Sequence, residues 1–169
     1  RIIIDPTDPN TVYVAAIGSP WGEHPERGIY KTTNGGKNWR KVLFANNKTG
    51  AADLVMDPNN PNKLIAALWE HKRDPWFFNS GGKGSGIHVS YDGGETWKKK
   101  TDKEGLPKGD RGRIGLAFAT NKSNIVYALV EAKKNALYRS TDGGDTWKKV
   151  NDKKDIGNRH FYYSDIFLD

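Results

Sequence analysis

Ser140-Thr141-Asp142-Gly143-Gly144-Asp145-Thr146-Trp147 decides the fold, because the chain writes this element three times. The earlier copies are Ser90-Tyr91-Asp92-Gly93-Gly94-Glu95-Thr96-Trp97 and Thr32-Thr33-Asn34-Gly35-Gly36-Lys37-Asn38-Trp39. Asp or Asn followed by Gly-Gly suits a tight hairpin turn with positive φ, which glycine adopts without steric penalty. The leading Ser or Thr hydroxyl and the Asp side chain are placed to bond the turn amides. The closing Trp offers a large apolar surface with which the hairpin packs against its neighbours. In the first copy Thr32 stands for Ser, Asn34 for Asp and Asn38 for Thr, which predicts weaker bonding in that turn.

On its amino-terminal side each copy is preceded by an apolar run, a turn and a second apolar run. Ile2-Ile3-Ile4-Asp5-Pro6-Thr7-Asp8-Pro9-Asn10 leads into Val12-Tyr13-Val14-Ala15, and Leu54-Val55-Met56-Asp57-Pro58-Asn59-Asn60-Pro61-Asn62 leads into Leu64-Ile65-Ala66-Ala67. A weaker third version runs from Leu116 to Asn124 and on through Val126 to Leu129, and Ile166-Phe167-Leu168-Asp169 opens a fourth. Each unit therefore predicts four short strands, roughly 1–5, 11–17, 28–33 and 38–44 in the first. Short strands with frequent turn signals, and no segment of helical periodicity, predict an all-β protein. A four-stranded unit returning every 50 to 62 residues predicts the blades of a β-propeller. The expected organisation is an incomplete β-propeller over 1–169, with blades at about 1–49, 50–108 and 109–158 and the first strand of a fourth in 159–169. Three blades are fewer than the four to eight that close a ring. The remaining blades are expected from the same, longer polypeptide, whose native amino terminus is expected upstream of Arg1.

The three eight-residue elements resemble Asp-boxes, also called BNR repeats, of the form Ser-x-Asp-x-Gly-x-Thr-Trp. The matching positions are Thr32, Asn34, Gly36 and Trp39, then Ser90, Asp92, Gly94 and Trp97, then Ser140, Asp142, Gly144 and Trp147. Such boxes occur in propellers of sialidases, xyloglucanase-type glycoside hydrolases, sortilin-type receptors and bacterial glycosyl-hydrolase-like proteins. The Asp-Pro-x-Asn-Pro-Asn turn makes the chain most similar to the sortilin-like and xyloglucanase-like bacterial members. The resemblance implies that the boxes are structural and lie away from any active site, and it implies an extracytoplasmic location. It leaves open whether the chain is an enzyme; if it is, the resemblance implies a glycoside hydrolase.

Composition removes several alternatives. Hydrophobic residues make up 36% and aromatics 11%, with six Trp, which is too rich for a disordered chain. No run approaches the ~20 apolar residues of a membrane span. The absence of Cys excludes a disulfide framework and Cys-ligated zinc. The net charge of +7 invites a nucleic-acid partner. Many of the cations, however, follow the box Trp, in Trp39-Arg40-Lys41-Val42, Trp97-Lys98-Lys99-Lys100 and Trp147-Lys148-Lys149-Val150. These segments read as the outermost strand of each blade, where lysine discourages edge-to-edge pairing. Lys133-Lys134 and Lys153-Lys154 sit in turns. Charge spread around a rim predicts no nucleic-acid partner.

Candidate functional residues concentrate in two loops. From opening turn to box the chain takes 27 residues in the first unit (Asp5 to Thr32), 33 in the second (Asp57 to Ser90) and 21 in the third (Ala119 to Ser140). Long loops on a rigid scaffold are where binding usually resides. The first, Gly18 to Arg27, carries Trp21, His24 and Arg27. The second, His71 to Gly86, carries His71, Arg73, Asp74, Trp76, Phe77 and Phe78. The segments 105–113, with Asp110 and Arg111, and 157–163 are expected on the same face. Aromatics beside hydrogen-bonding charges suit the stacking of a carbohydrate or the capture of a peptide. They suit equally well a packing role in which the rings seal the loops against one another.

Catalysis has weaker support. Glycoside hydrolysis needs two carboxylates about 5 Å or about 6.5–9.5 Å apart. Glu23, Glu26, Asp74, Glu104 and Asp110 are available, no spacing selects a pair, and the catalytic residues stay unassigned. Arg27, Arg73, Arg111 and Tyr162 supply the residue types of a sialidase without a motif to place them. His88 aligns with Tyr30 and Tyr138 and is expected to pack, while His24, His71 and His160 come from three separate loops; no metal or cofactor is expected. Gly81 to Gly86 lacks the strand-to-helix setting of a phosphate loop and reads as a lid or the foot of a long hairpin. Three functions follow: a loop face that binds peptide or glycan, a xyloglucanase-like hydrolase with catalytic acids partly outside this segment, and a structural propeller that contacts partner proteins.

Overall fold

The computed structural model describes residues 1–157, 159–162 and 164–168. It holds three antiparallel meanders. The first sheet runs β1 (Ile2–Ile4), β2 (Val12–Ala16), β3 (Gly28–Thr32) and β4 (Arg40–Leu43), in that spatial order. The second runs β5 (Thr49–Asp57), β6 (Asn60–Arg73), β8 (Gly86–Ser90) and β9 (Lys98–Lys99), with β7 (Phe78–Ser80) paired to the far end of β6. The third runs β10 (Ile114–Ala119), β11 (Lys122–Val130), β12 (Ala136–Ser140) and β13 (Lys148–Asn151). Ser164 then lies beside β10, so close that a Cβ added at Gly115 would stand 1.5 Å from its carbonyl oxygen. The chain is an all-β propeller segment.

Two apolar layers hold the sheets together. Tyr13, Ala15 and Ile29 of the first sheet meet Ala51, Leu54, Leu64, Ala66 and Leu68 of the second. Ile65, Ala67, Ile87 and Val89, from the other face of the second sheet, meet Ile114, Leu116, Val126 and Ala128 of the third. Residues 64–69 of β6 are buried without a break because both faces are covered, which is why this strand reads as an unbroken apolar run.

The boxes build the hairpins and then join the sheets. Ser90 Oγ donates to Asp92 Oδ1 (2.8 Å) and accepts from the Gly94 amide (2.9 Å), while Asp92 accepts from the amide and hydroxyl of Thr96 at 2.9 and 2.6 Å. Ser140, Asp142, Gly144 and Thr146 repeat the pattern. In the first copy Asn34 accepts from Thr32 Oγ1 and the Asn38 amide, with no hydroxyl at position 38 to add the third bond. Gly93 and Gly94 take φ of +67° and +83°, the region that favours glycine. Trp97 packs on the layer between the first two sheets and Trp147 lies within the layer between the second and third. Trp97 and Trp147 thus turn toward the preceding sheet. Trp39, on the first sheet, is 44% exposed.

Bonds from the Thr96 hydroxyl and amide and from Ser90 hold the Asp92 carboxyl down at about 2. Burial of Asp142 opposes ionisation, but bonds from Ser140, Thr146 and Asp145 outweigh it and set its carboxyl at about 2. Both groups titrate near 4 when unfolded, so their contribution is present above pH 4 and lost as pH falls toward 2. Thermal unfolding is expected to show a midpoint that is steady down to about pH 4 and then drops with acid; a Ser90→Ala, Ser140→Ala double variant lowers the plateau and flattens the drop.

Candidate functional site

Arg27 organises the first long loop. It directly precedes β3, is 1% exposed, and its guanidinium donates to the carbonyls of Lys48 (2.8 Å), Ser19 (2.5 Å) and Gly22 (2.8 Å). Its Nη1 lies 3.4 Å from His71 Nδ1. Three backbone acceptors in one buried fork fold the loop back on itself and leave Trp21 63% exposed. Burial pulls the Arg27 pKa down, partly offset by Glu23.

The second long loop is a β-hairpin that projects beyond its sheet. β6 continues past its pairing with β8, and β7 pairs with that extension through His71–Ser80, Lys72–Asn79 and Arg73–Phe78. The Arg73 amide donates to the Pro20 carbonyl (2.7 Å), so the hairpin meets the first loop. A turn closed by Asp74 N to Phe77 O (2.9 Å) forms its tip, with Lys72 paired to Asp74 at 2.8 Å. Trp76 there is 92% exposed and Phe77 58%.

The aromatics divide into two sets. Trp69 stacks on His71 with ring centroids 4.2 Å apart, Phe78 meets Trp69 edge-on at 5.6 Å, and Phe161 lies 5.4 Å from Phe78. Arg73 lies over Phe78 and donates to the Tyr162 hydroxyl (2.5 Å), and Arg113 lies over Trp69 and donates to the carbonyls of Phe161 and Tyr162. These rings seal the loops. Trp21, Trp76 and Phe77 remain open to solvent.

The same two loops line a cleft of about 360 Å³, bounded by Gly22, Glu23, Lys48, Glu70, His71, Lys72, Asn79, Ser80 and Gly81. A wider depression of about 840 Å³ shares Glu23, Lys48, Glu70 and Gly81 with it and adds Asn46, Asn47, Lys83 and Asp110. Glu70 is held toward both. Its Oε2 accepts from the Gly84 amide (2.9 Å) and its own amide donates to Ser85 Oγ (2.8 Å). A Cβ at Gly82 would stand 2.4 Å from Glu70 Cδ, and one at Gly84 would stand 2.0 Å from Thr49 Oγ1. The glycine run is therefore a cradle around a carboxylate. It connects β7 to β8 as a hairpin foot, and its bonds to Glu70 replace the expected lid.

Burial holds the His71 imidazole below its ordinary pKa; the nearby Arg27 and Arg113 charges act the same way, against a bond to the Trp69 carbonyl. His71 is thus a neutral, cleft-lining ring. His24 is exposed, with Nδ1 accepting from the Glu26 amide. His160 is buried beside Ser164, and burial brings His88 to about 4.

Two of the expected ligand residues have partners within the fold. Arg27 and Arg111 belong to the interior: Arg27 is spent on the three carbonyls above, and Arg111, 7% exposed, donates from Nε and Nη2 to the Pro107 carbonyl. Of the candidate carboxylates, Glu104 caps the 3₁₀ turn Asp102–Glu104 by accepting from Thr101. Glu23 faces Lys48 at 3.6 Å, Asp110 lines the wider depression, and Glu26 is exposed. Glu70 is not among the sequence candidates; its signal is the glycine run 11 to 16 residues later in the chain, which names no partner by itself. Among the described residues no three His, Asp or Glu side chains converge as metal ligands, and no helix is long and apolar enough to cross a membrane. Asn158 and Tyr163 of the 157–163 segment, and Asp169, lie outside the described residues.

The BNR/Asp-box repeat model matches residues 88–99 and 138–149. Among solved structures the chain is similar to an ancestral GH74 enzyme at 21% identity and a TM-score of 0.61, covering 91% of this chain and 18% of that one. It is similar to the GH74 xyloglucanase from Xanthomonas campestris at 15% identity and a TM-score of 0.64, covering 89% and 21%. It is similar to YCF48 bound to D1 peptide at 15% identity and a TM-score of 0.50, covering 88% and 43%. No curated protein matches the chain. The chain spans about a fifth of the length of the GH74 enzymes it matches. What it shares with these proteins is a fold: a segment of β-propeller, built here from three four-stranded sheets and carrying Asp-boxes.

Proposed function

We propose that the loop face binds a glycan chain without cleaving it. The observation that carries this reading is the division of the aromatics: Trp21, Trp76 and Phe77 stand open on the two loops that also line a polar cleft, while Trp69, Phe78 and Phe161 pack against one another. Open aromatics beside converging polar groups are the ordinary composition of a ligand site. Trp21 and Trp76 offer flat apolar surfaces to the faces of sugar rings, and Glu70, Lys72 and Asn79 offer acceptors and donors to their hydroxyls. The likeness to xyloglucanase propellers supports a carbohydrate. A peptide is the second reading, favoured by the likeness to a propeller solved with a peptide bound. In either case the three sheets are blades of a longer, extracytoplasmic protein, with boundaries near 49, 108 and 158.

The test is calorimetric titration with neutral xyloglucan oligosaccharides, alongside an assay for released reducing ends. Trp21→Ala and Trp76→Ala are each expected to weaken binding about tenfold and to leave the unfolding midpoint unchanged, since both side chains are exposed. Unchanged affinity in the double variant would falsify the glycan reading, and release of reducing ends by the unmodified chain would replace it with the hydrolase.

A further inference from the structure

A second cleft on this face, lined by four lysines, has the chemistry of an anion site. About 460 Å³ in volume, it is bounded by Pro107, Lys108, Ala132, Lys133, Lys134, Tyr138 and Lys149. These residues come from the segment entering the third sheet, the turn between β11 and β12, and strands β12 and β13. In sequence, Lys133-Lys134 and Lys149 looked like scattered rim charge. The fold brings them round one cavity and adds Lys108 from a segment 25 residues earlier than Lys133.

Charge in the cleft is unbalanced. Asp152 takes Lys134 at 2.9 Å and Lys149 at 2.8 Å, and these two bonds bring its carboxyl to about 2. Lys108 and Lys133 are exposed and have no acidic partner among the described residues. Four ammonium groups thus face one carboxylate. The floor, by contrast, is apolar: Pro107, Ala132 and the ring of Tyr138, which is 6% exposed. Two of its backbone groups are already engaged. The Pro107 carbonyl takes both bonds from Arg111, and the Ala132 amide donates to Asn135 Oδ1 (3.2 Å).

We propose that this cleft binds an acidic sugar, one whose ring carries a sulfate or carboxylate. Lysine ammoniums on flexible stems meet such groups as point charges without demanding a planar, forked geometry. The apolar floor receives the C–H face of the ring. A single-stranded nucleic acid finds no open aromatic on which to stack a base, which such strands ordinarily require. The site is a different cavity from the cleft lined by the two long loops, and it stands whether or not neutral glycans bind there.

The experiment measures binding of a short dextran sulfate and of unsulfated dextran of equal length, at low and high salt. Dextran sulfate is expected to bind, to lose affinity as salt rises, and to bind about tenfold more weakly to Lys108→Ala, Lys133→Ala. Charge reversal at the same two positions abolishes binding. Lys37→Ala, Lys98→Ala removes equal charge elsewhere and leaves affinity within about twofold, as does Trp76→Ala. Equal weakening by the Lys37 and Lys98 pair overturns the site in favour of diffuse charge. So does equally tight binding of unsulfated dextran, or of oligothymidylate or a polyglutamate peptide that depends on the same two lysines.

Discussion

Asp145→Ala is expected to destabilise the chain by about 3 kcal/mol, and the reason is its partner. The Lys100 side chain is 4% exposed and its ammonium lies 2.7 Å from Asp145 Oδ1. Removing the carboxylate leaves a buried cation unpaired, which costs more than the pair itself contributes. Tyr91 loses the acceptor of its hydroxyl in the same change. Asp145 is 43% exposed, so water reaches part of the site and keeps the effect at the lower end of the range for broken buried pairs. Lys100→Met, which removes the charge and keeps the length, is expected to fall within about 1 kcal/mol of the unmodified chain. The double variant should then be far less destabilised than the sum of its parts, a coupling that urea unfolding measures directly. Additive effects would mean that the pair does not join the second and third sheets.

Asp53 is the second site of large effect. A bulge at Ala52, where pairing passes from Ala51–Leu68 to Asp53–Ala67, turns its carboxylate inward, and the residue is 4% exposed. Oδ1 accepts from Leu54 N and Arg1 Nε, and Oδ2 accepts from Leu116 N at 2.8 Å. One side chain thereby joins the residue before β1 to β5 and β10, the innermost strands of all three sheets. Burial raises its pKa despite these bonds. A raised carboxyl pKa means that ionisation itself opposes folding at neutral pH, and that any charge-linked gain appears below pH 4 and fades as pH rises through the folded value. The stabilisation lies in the acceptors. Asp53→Ala leaves the Leu116 and Leu54 amides buried without partners and is expected to cost about 3 kcal/mol. Asp53→Asn does not rescue it: with one oxygen replaced by an amide nitrogen, a donor faces a donor. A fully stable Asn variant in denaturant unfolding would show that Asp53 need not accept from both amides, and would contradict this account.

The repeats carried most of the fold in plain view. Asp-Gly-Gly turns and the apolar runs before them located the strands, because positive φ and two-sided burial each restrict residue choice. The joints between sheets were less visible. Glu95 and Asp145 occupy the same position of their boxes and bond the preceding sheet, Glu95 through Lys31 and Arg40 and Asp145 through Lys100 and Tyr91. In a single box that position looks like any exposed turn charge, and Lys37 fills it in the first copy. The site was legible as two loops and a face. It was not legible which aromatics would stay open, since Phe77 and Phe78 are neighbours and only strand alternation sends Phe78 inward. Nor was it legible that Arg27 would turn to backbone carbonyls, because an arginine in a loop gives no sign of the acceptors its fold will bring to it.

Hydroxyl-radical footprinting of the chain with and without bound xyloglucan oligosaccharide tests the glycan site most directly. Trp21, Trp76, Phe77 and Trp39 are all exposed in the free chain, so each is oxidised at a measurable rate. Ligand is expected to protect Trp21, Trp76 and Phe77 and to leave Trp39, in its Asp-box, unchanged. Protection of Trp39 with continued oxidation of the three loop aromatics would contradict the assignment of the loop face as the binding surface.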